Sequence, residues 1–285
     1  MSYRPRRSVL YMPGSKSRAL EKATGLAADA LILDLEDAVS PAEKAAARDL
    51  VCAHVAARPF GPREVVVRVN GADTEWGGQD LAAAAAARPD AILLPKVESA
   101  RDIADAHAVA GDIAIWAMME TPRGILNAAE IAAAPGLTCL VMGTNDLAKE
   151  LHASHVAGRE PLLTALGHSL IAARAHGLAI IDGVYNAFKD DEGLRAECEQ
   201  GRAMGFDGKT LIHPAQLAVT NEVFAPSAAA LEEARAQIAA HAKVEAEGGG
   251  VAVVDGRIVE NLHVENARRL IAQADAIAEL EAAAA

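Results

Sequence analysis

Ala30-Leu31-Ile32-Leu33-Asp34-Leu35-Glu36-Asp37 is a short apolar run that turns acidic at its C-terminal end. Its apolar residues are consecutive rather than alternating. That means burial on both faces, as in a parallel sheet covered by helices. The pattern recurs along the chain, predicting strands at Ser8–Pro13, Ala30–Leu35, Glu64–Val69, Ala91–Val97, Ile113–Met119, Leu137–Gly143, Ala179–Gly183 and Gly208–Ile212. Ala-rich helical segments separate them, at about Ser17–Ala28, Pro41–Ala56, Gly77–Ala87, Ala100–Ala108, Gly124–Ala133, Pro161–His176 and Glu192–Met204, with an eighth from Ala215. Eight βα units in succession fit a closed (β/α)8 TIM barrel better than an open doubly wound sheet.

The tail follows other rules. Ser227–Glu247 reads as one polar-faced helix, ended by Gly248-Gly249-Gly250. Val251–Val254 and Arg257–Val259 flank Asp255-Gly256, a dipeptide suited to a tight hairpin turn, and Val264–Glu281 is a closing helix. The expected division is a barrel catalytic domain over 1–247 and a C-terminal lid or oligomerisation segment over 248–285.

A formal net charge of −12 argues against nucleic acid as a partner, because phosphate backbones need clustered Lys and Arg. No run approaches the roughly 18–20 apolar residues that span a bilayer, so no membrane partner is expected. Ser8–Pro13 is too short for the apolar core of a signal peptide, and the expected location is the cytoplasm. Cys52, Cys139 and Cys198 are far apart and share no metal-like spacing; Cys139 lies in a strand and is expected to be a small core residue.

In a (β/α)8 barrel the chemistry sits at the C-terminal ends of the strands. There this chain places Asp34-Leu35-Glu36-Asp37, Arg68 and Asn70, Lys96, Glu120, Thr144-Asn145-Asp146, Asp182 and Ile212-His213-Pro214. Ionisable groups so close to a core are costly unless they are paired or bind a metal. Glu120 and Asp146, two carboxylates from neighbouring strands, suit a hard cation such as Mg²⁺ that keeps waters and takes oxygens from substrate. Arg68 lies in Val65-Val66-Val67-Arg68-Val69-Asn70 and needs a carboxylate, for which Glu36 or Asp37 one strand away is expected; its planar fork also suits a substrate oxyanion. The first βα loop, Tyr11 to Arg18, combines a tight turn, hydroxyls, two cations and a helix N-terminus, a setting for phosphate.

Taken in order, Ser8-Val9-Leu10-Tyr11-Met12-Pro13-Gly14-Ser15, Leu33-Asp34-Leu35-Glu36-Asp37-Ala38-Val39, Arg68-Val69-Asn70, Met119-Glu120-Thr121, Gly143-Thr144-Asn145-Asp146-Leu147 and Gly208-Lys209-Thr210-Leu211-Ile212-His213-Pro214 resemble the citrate lyase β-subunit-like family. That family belongs to the HpcH/HpaI aldolase superfamily and acts on CoA thioesters of hydroxy acids. The resemblance covers nearly the whole chain and is strongest to its malyl-CoA lyase and (3S)-malyl-CoA thioesterase group. It implies Mg²⁺, or Mn²⁺, on Glu120 and Asp146, and Arg68 on the substrate's oxygens beside the acidic pair Glu36 and Asp37. It implies CoA, as part of the substrate, against Tyr11, Lys16, Lys22, Ile212 and His213, with Asn145 and Asp146 at the acyl end.

It also implies a homotrimer or homohexamer in which Gly256-Arg257-Ile258-Val259-Glu260 closes over a neighbouring subunit's site. The lyases of the group have Asp where this chain has Glu260. One added methylene shifts the carboxylate by about 1 Å, enough to change rates roughly a hundredfold. A lyase needs a base at the β-hydroxyl; a hydrolase needs a carboxylate that activates water, or attacks directly, at the thioester carbonyl. The longer Glu suits the second, so hydrolysis of (3S)-malyl-CoA to malate and CoA is expected. Three alternatives stand beside it: reversible cleavage of malyl-CoA, β-methylmalyl-CoA or citramalyl-CoA; a pyruvate-type aldolase of free acids; and a carrier-dependent citrate lyase β-like subunit.

Overall fold

Val, Ile, Leu and Ala fill the short strands, and in the computed structural model, which describes residues 3–284, eight of these strands close into one barrel. They are β1 (Ser8–Pro13), β2 (Ala30–Asp34), β3 (Glu64–Arg68), β4 (Ala91–Leu94), β5 (Ala114–Met119), β6 (Leu137–Met142), β7 (Ala179–Asp182) and β8 (Gly208–Leu211). Each pairs in parallel with the next, and β8 returns to β1 through Ser8↔Lys209 and Leu10↔Leu211. One apolar core lies between barrel and helices, around Leu31, Leu33, Val67, Ile92 and Leu140; a second fills the barrel itself, around Ile32, Val66, Trp116 and Val141. Two-sided burial is why the strands read as unbroken apolar runs. Cys139 is one of the barrel-interior residues.

The helices follow the expected alternation with local differences. The first stops at Ala23 rather than Ala28, where Thr24 and Gly25 turn back onto Glu21 and Lys22 carbonyls. The segment after β5 breaks into Pro122–Leu126 and Ala128–Ala132 around Asn127, whose side chain donates to the Glu98 carbonyl. An unanticipated helix, Thr144–Glu150, starts directly after β6 and carries Asn145 and Asp146 in its first turn. No described helix is long and apolar enough to cross a membrane.

The chain divides into two compact units, Arg6–Phe224 and a second running from Ala225 onward together with the N-terminal residues up to Pro5. This break lies upstream of the expected 247/248 boundary. The helix Ala228–Ala246 goes with the second unit because it packs on the helix Asn261–Ala284 and on the hairpin β9 (Ala252–Val254)/β10 (Arg257–Val259). Ala252, Val259 and Val264 form its small core with Ile238 and Val244. Asp255 and Gly256 both take positive φ, 49° and 76°, as a tight hairpin turn of this kind requires.

Candidate active site

Side-chain alternation decides what reaches the mouth of the barrel. Val9, Ile32, Val66, Met118 and Val141 point into the barrel interior. Two residues on come Tyr11, Asp34, Arg68, Glu120 and Gly143, which therefore continue the inward face at the C-terminal end. All five line one cavity of about 310 Å³, joined by Asp37 and Ile212 from the loops and by Asn145 and Asp146 from the first turn of the helix Thr144–Glu150. Gly143 is required there, since a Cβ would run into the side chains of Glu120 and Met118. Gly183 similarly lets β7 close against Thr144.

Arg68 is the electrostatic centre. Its main partner is Asp34, which takes Nε and Nη2 at 2.7 Å each, a bidentate pair set by the β2–β3 register in which the two residues are opposite. Nη1 adds Glu36 Oε2 at 2.8 Å, outside hydrogen-bond geometry, and Asp37 Oδ2 at 3.4 Å. The guanidinium lies 4.9 Å from the centre of the Tyr11 ring. The expectation that Glu36 or Asp37 would be the partner is thus corrected in emphasis: both touch Arg68, but Asp34 holds it. Burial works to raise the Asp34 pKa, yet Arg68 and the N–H groups of Glu36 and Ala38 outweigh it and keep this carboxyl below its usual range.

Glu36 and Glu120 behave oppositely. Burial, then the charges of Asp37 and Asp34, push Glu36 up to about 7 against Arg68 and Lys96. Burial, then Glu36 and Asp146, push Glu120 up to about 8 against the Lys96 N–H and Arg68. Lys44 is buried under this acidic loop and donates to Leu35 O, Glu36 O and Asn70 Oδ1 at 2.8, 2.7 and 2.6 Å. Lys96, in a left-handed conformation with φ 50°, gives its N–H to Glu120 Oε1 at 2.8 Å. Burial lowers the Lys96 pKa, but Glu36, Glu120, Asp146 and Asp37 overcome it and the net shift is upward.

These residues fit a divalent cation. Asp34, Glu36, Asp37, Glu120 and Asp146 face Arg68, Lys44 and Lys96, so once all five carboxyls are ionised the cluster is two positive charges short of neutrality. Among the described residues the hydrogen bond to the Glu120 carboxylate goes to Oε1, and no group of three His, Cys, Asp or Glu is gathered as a closed metal cage. Two carboxylates with room for water and substrate oxygen is the donor set a hard ion takes.

The other expected positions are scattered. Lys16 and Lys22 are exposed on and beside the helix Ser17–Ala23, with Lys16 at 3.4 Å from Glu43, and neither lines the cavity. His213 is exposed, stacks on Phe188 at 4.5 Å and accepts the Ala215 N–H on Nδ1, so it caps its own turn. Asn145 exchanges two hydrogen bonds with Asn186, at 3.2 and 2.9 Å. Asp182 follows inward-facing Ile181 and so points out of the barrel, into a buried network with Arg159 and Lys209 at 2.7 and 3.1 Å; it does not join the strand-end carboxylates at the mouth. His152 and His155 have an H-x-x-H spacing but are exposed in a loop, and among the described residues no third ligand gathers there. Glu260, in the second unit, is exposed, and its N–H is accepted by His263 Nδ1 at 3.1 Å. Sequence reading missed Lys44 and the roles of Asp34 and Lys96; a two-residue step from Ile32 marks Asp34, while nothing local marks Lys44.

The sequence pattern described as HpcH/HpaI aldolase/citrate lyase matches residues 7–214. The chain belongs to that family. Across 96% of both chains it is 62% identical to the (3S)-malyl-CoA thioesterase of Cereibacter sphaeroides (strain ATCC 17025 / ATH 2.4.3). It is 34% identical, again over 96% of each, to the L-malyl-CoA/beta-methylmalyl-CoA lyase of the same strain. Among solved structures, the protein CitE of Mycobacterium tuberculosis in complex with magnesium, acetoacetate and coenzyme A superposes with a TM-score of 0.79 at 32% identity, covering 94% of this chain and 97% of that one. Family membership and the closed barrel agree with what the motifs and strand runs imply.

Proposed function

We propose that this chain is a Mg²⁺- or Mn²⁺-dependent hydrolase that cleaves (3S)-malyl-CoA to malate and CoA in the cytoplasm. The observation that carries hydrolysis over C–C cleavage is the gap between two full-length similarities, 62% to a thioesterase and 34% to a lyase. The site supports the metal-dependent part of the reading. Glu120 and Asp146 would hold the ion, which when bound supplies positive charge to the hydroxy-carboxylate end of the acyl group.

Arg68, fixed by Asp34 and flanked by Glu36 and Asp37, presents a preorganised positive field where the thioester oxyanion develops. Asn145 faces the same cavity beside Asp146. Tyr11 on β1, Lys16 and Lys22 in the loop and helix that follow it, and Ile212 with His213 after β8, hold the CoA moiety; β1 and β8 are hydrogen-bonded neighbours. The carboxylate of Glu260, supplied by the lid of a neighbouring copy in a homotrimer or homohexamer, takes a proton from the attacking water.

The test is product analysis of the purified protein given (3S)-malyl-CoA and Mg²⁺, with and without EDTA. Malate and free CoA, lost with EDTA, are expected. Acetyl-CoA and glyoxylate instead would make it a lyase and show that the Glu260 side-chain length does not decide the reaction.

A further inference from the structure

We propose that Lys96, beside Glu120, receives the free carboxylate of the acyl group and so selects dicarboxylic over neutral acyl thioesters; this rests on the function proposed above. Lys96 lines one cavity and hydrogen-bonds a wall residue of another. Its N–H bonds Glu120 in the wall of the 310 Å³ cavity, and the residue lines a neighbouring cavity of about 760 Å³.

Two other cations, Arg68 and Lys44, are already engaged, whereas Arg123 is held no more firmly than Lys96 and serves as the control. Arg68 has Nε and Nη2 on Asp34, Nη1 between Glu36 and Asp37, and its face on Tyr11. Lys44 is buried with three acceptors on its ammonium. Arg123, on the larger cavity, is 74% exposed and 3.5 Å from Glu98. The Lys96 ammonium has only a loose contact, 3.8 Å to Glu36 Oε1, and more than half of the side chain, 54%, is exposed. An exposed pair at that distance contributes little.

The backbone adds a second, independent observation. Lys96 occupies a left-handed φ of 50°, a region that side chains with a Cβ rarely adopt and that glycine would occupy without cost. The hydrogen bond to Glu120 explains the peptide's orientation, and a glycine would make the same bond. It does not explain a lysine. Strained residues of this kind gather at functional sites, and the group left without a firm partner is the ammonium.

Lys96→Met, Lys96→Arg and Arg123→Met, each with Mg²⁺, test this. Three probes are used: (3S)-malyl-CoA turnover, L-malate binding by calorimetry, and 3-hydroxybutyryl-CoA of the matching hand as a competitor. The last has a methyl group in place of the carboxylate. Lys96→Met should raise the KM for malyl-CoA and the Kd for malate by roughly tenfold to a hundredfold, the range of a charged hydrogen bond. It should change kcat by less than about threefold and leave the Ki of 3-hydroxybutyryl-CoA alone, with Lys96→Arg recovering most of the loss. Equal weakening of both thioesters, a malate Kd within about twofold of wild type, or a loss that follows Arg123→Met instead, each overturns the assignment. A wild-type protein that binds malate but leaves malyl-CoA intact would defeat the hydrolase reading and leave Lys96 to be judged on Kd. No malate binding by wild type would remove the carboxylate site itself.

Discussion

Lowering the pH from about 8 to about 6 should weaken Mg²⁺ binding by roughly fiftyfold, or about 2.3 kcal/mol at 1.36 kcal/mol per factor of ten. The figure comes from Glu120. Its carboxyl, pushed up to about 8 by burial and by the nearby charges of Glu36 and Asp146, must lose its proton before it can ligate a cation. Below that pH each unit costs a factor of about ten. Glu36, at about 7, adds a smaller dependence through the charge it presents to Glu120.

Calorimetric titration with Mg²⁺ in buffers of different ionisation enthalpy reads both the affinity and the protons released, close to one per ion at about pH 7. The metal-free fold should respond in the opposite sense. A carboxyl whose folded pKa lies above its ordinary 4.5 favours folding below that value and loses the contribution as the pH rises to about 8. Metal-free Tm should therefore fall across that window, and Mg²⁺ should restore it most at the alkaline end. A Kd constant within about threefold from pH 6 to 8, with no proton released, would refute the placement of a buried, proton-holding Glu120 at the ion.

Two further outcomes follow from the same contacts. Arg68→Ala strands the Asp34 carboxylate in a buried position and should cost about 3–5 kcal/mol of stability in urea melts as well as activity, whereas loss of activity with an unchanged midpoint would mean that Asp34 finds another partner. Glu260→Ala should leave Tm within a degree or so, because the residue is exposed, and reduce malyl-CoA hydrolysis by a hundredfold or more; Glu260→Asp separates the need for a carboxylate from the need for its reach, and wild-type rates in both variants remove the residue from the reaction.

Much of this protein is written locally. The run Ala30–Leu33 is apolar on both faces because β2 is covered both by the barrel interior and by helices, and burial of that kind leaves no alternation to misread. The same reasoning locates the other strands to within a few residues at their ends, and Asp255-Gly256 announces its turn because few dipeptides tolerate two positive φ values. The break at Phe224 was not legible, since whether Ala228–Ala246 packs on the barrel or on Asn261–Ala284 depends on partners far along the chain.

The sequence by itself determined that there are eight buried parallel strands and that most of them lead into ionisable residues at their C-terminal ends, because each strand's burial and each strand's exit into water are local properties. Only the tertiary structure decided which of those residues meet. Asp34 and Asp182 both end apolar strands, yet one step in side-chain alternation sends Asp34 to Arg68 at the mouth and Asp182 outward to Arg159 and Lys209. Closing the barrel fixes register between strands as well as alternation along them, and no single strand carries that information.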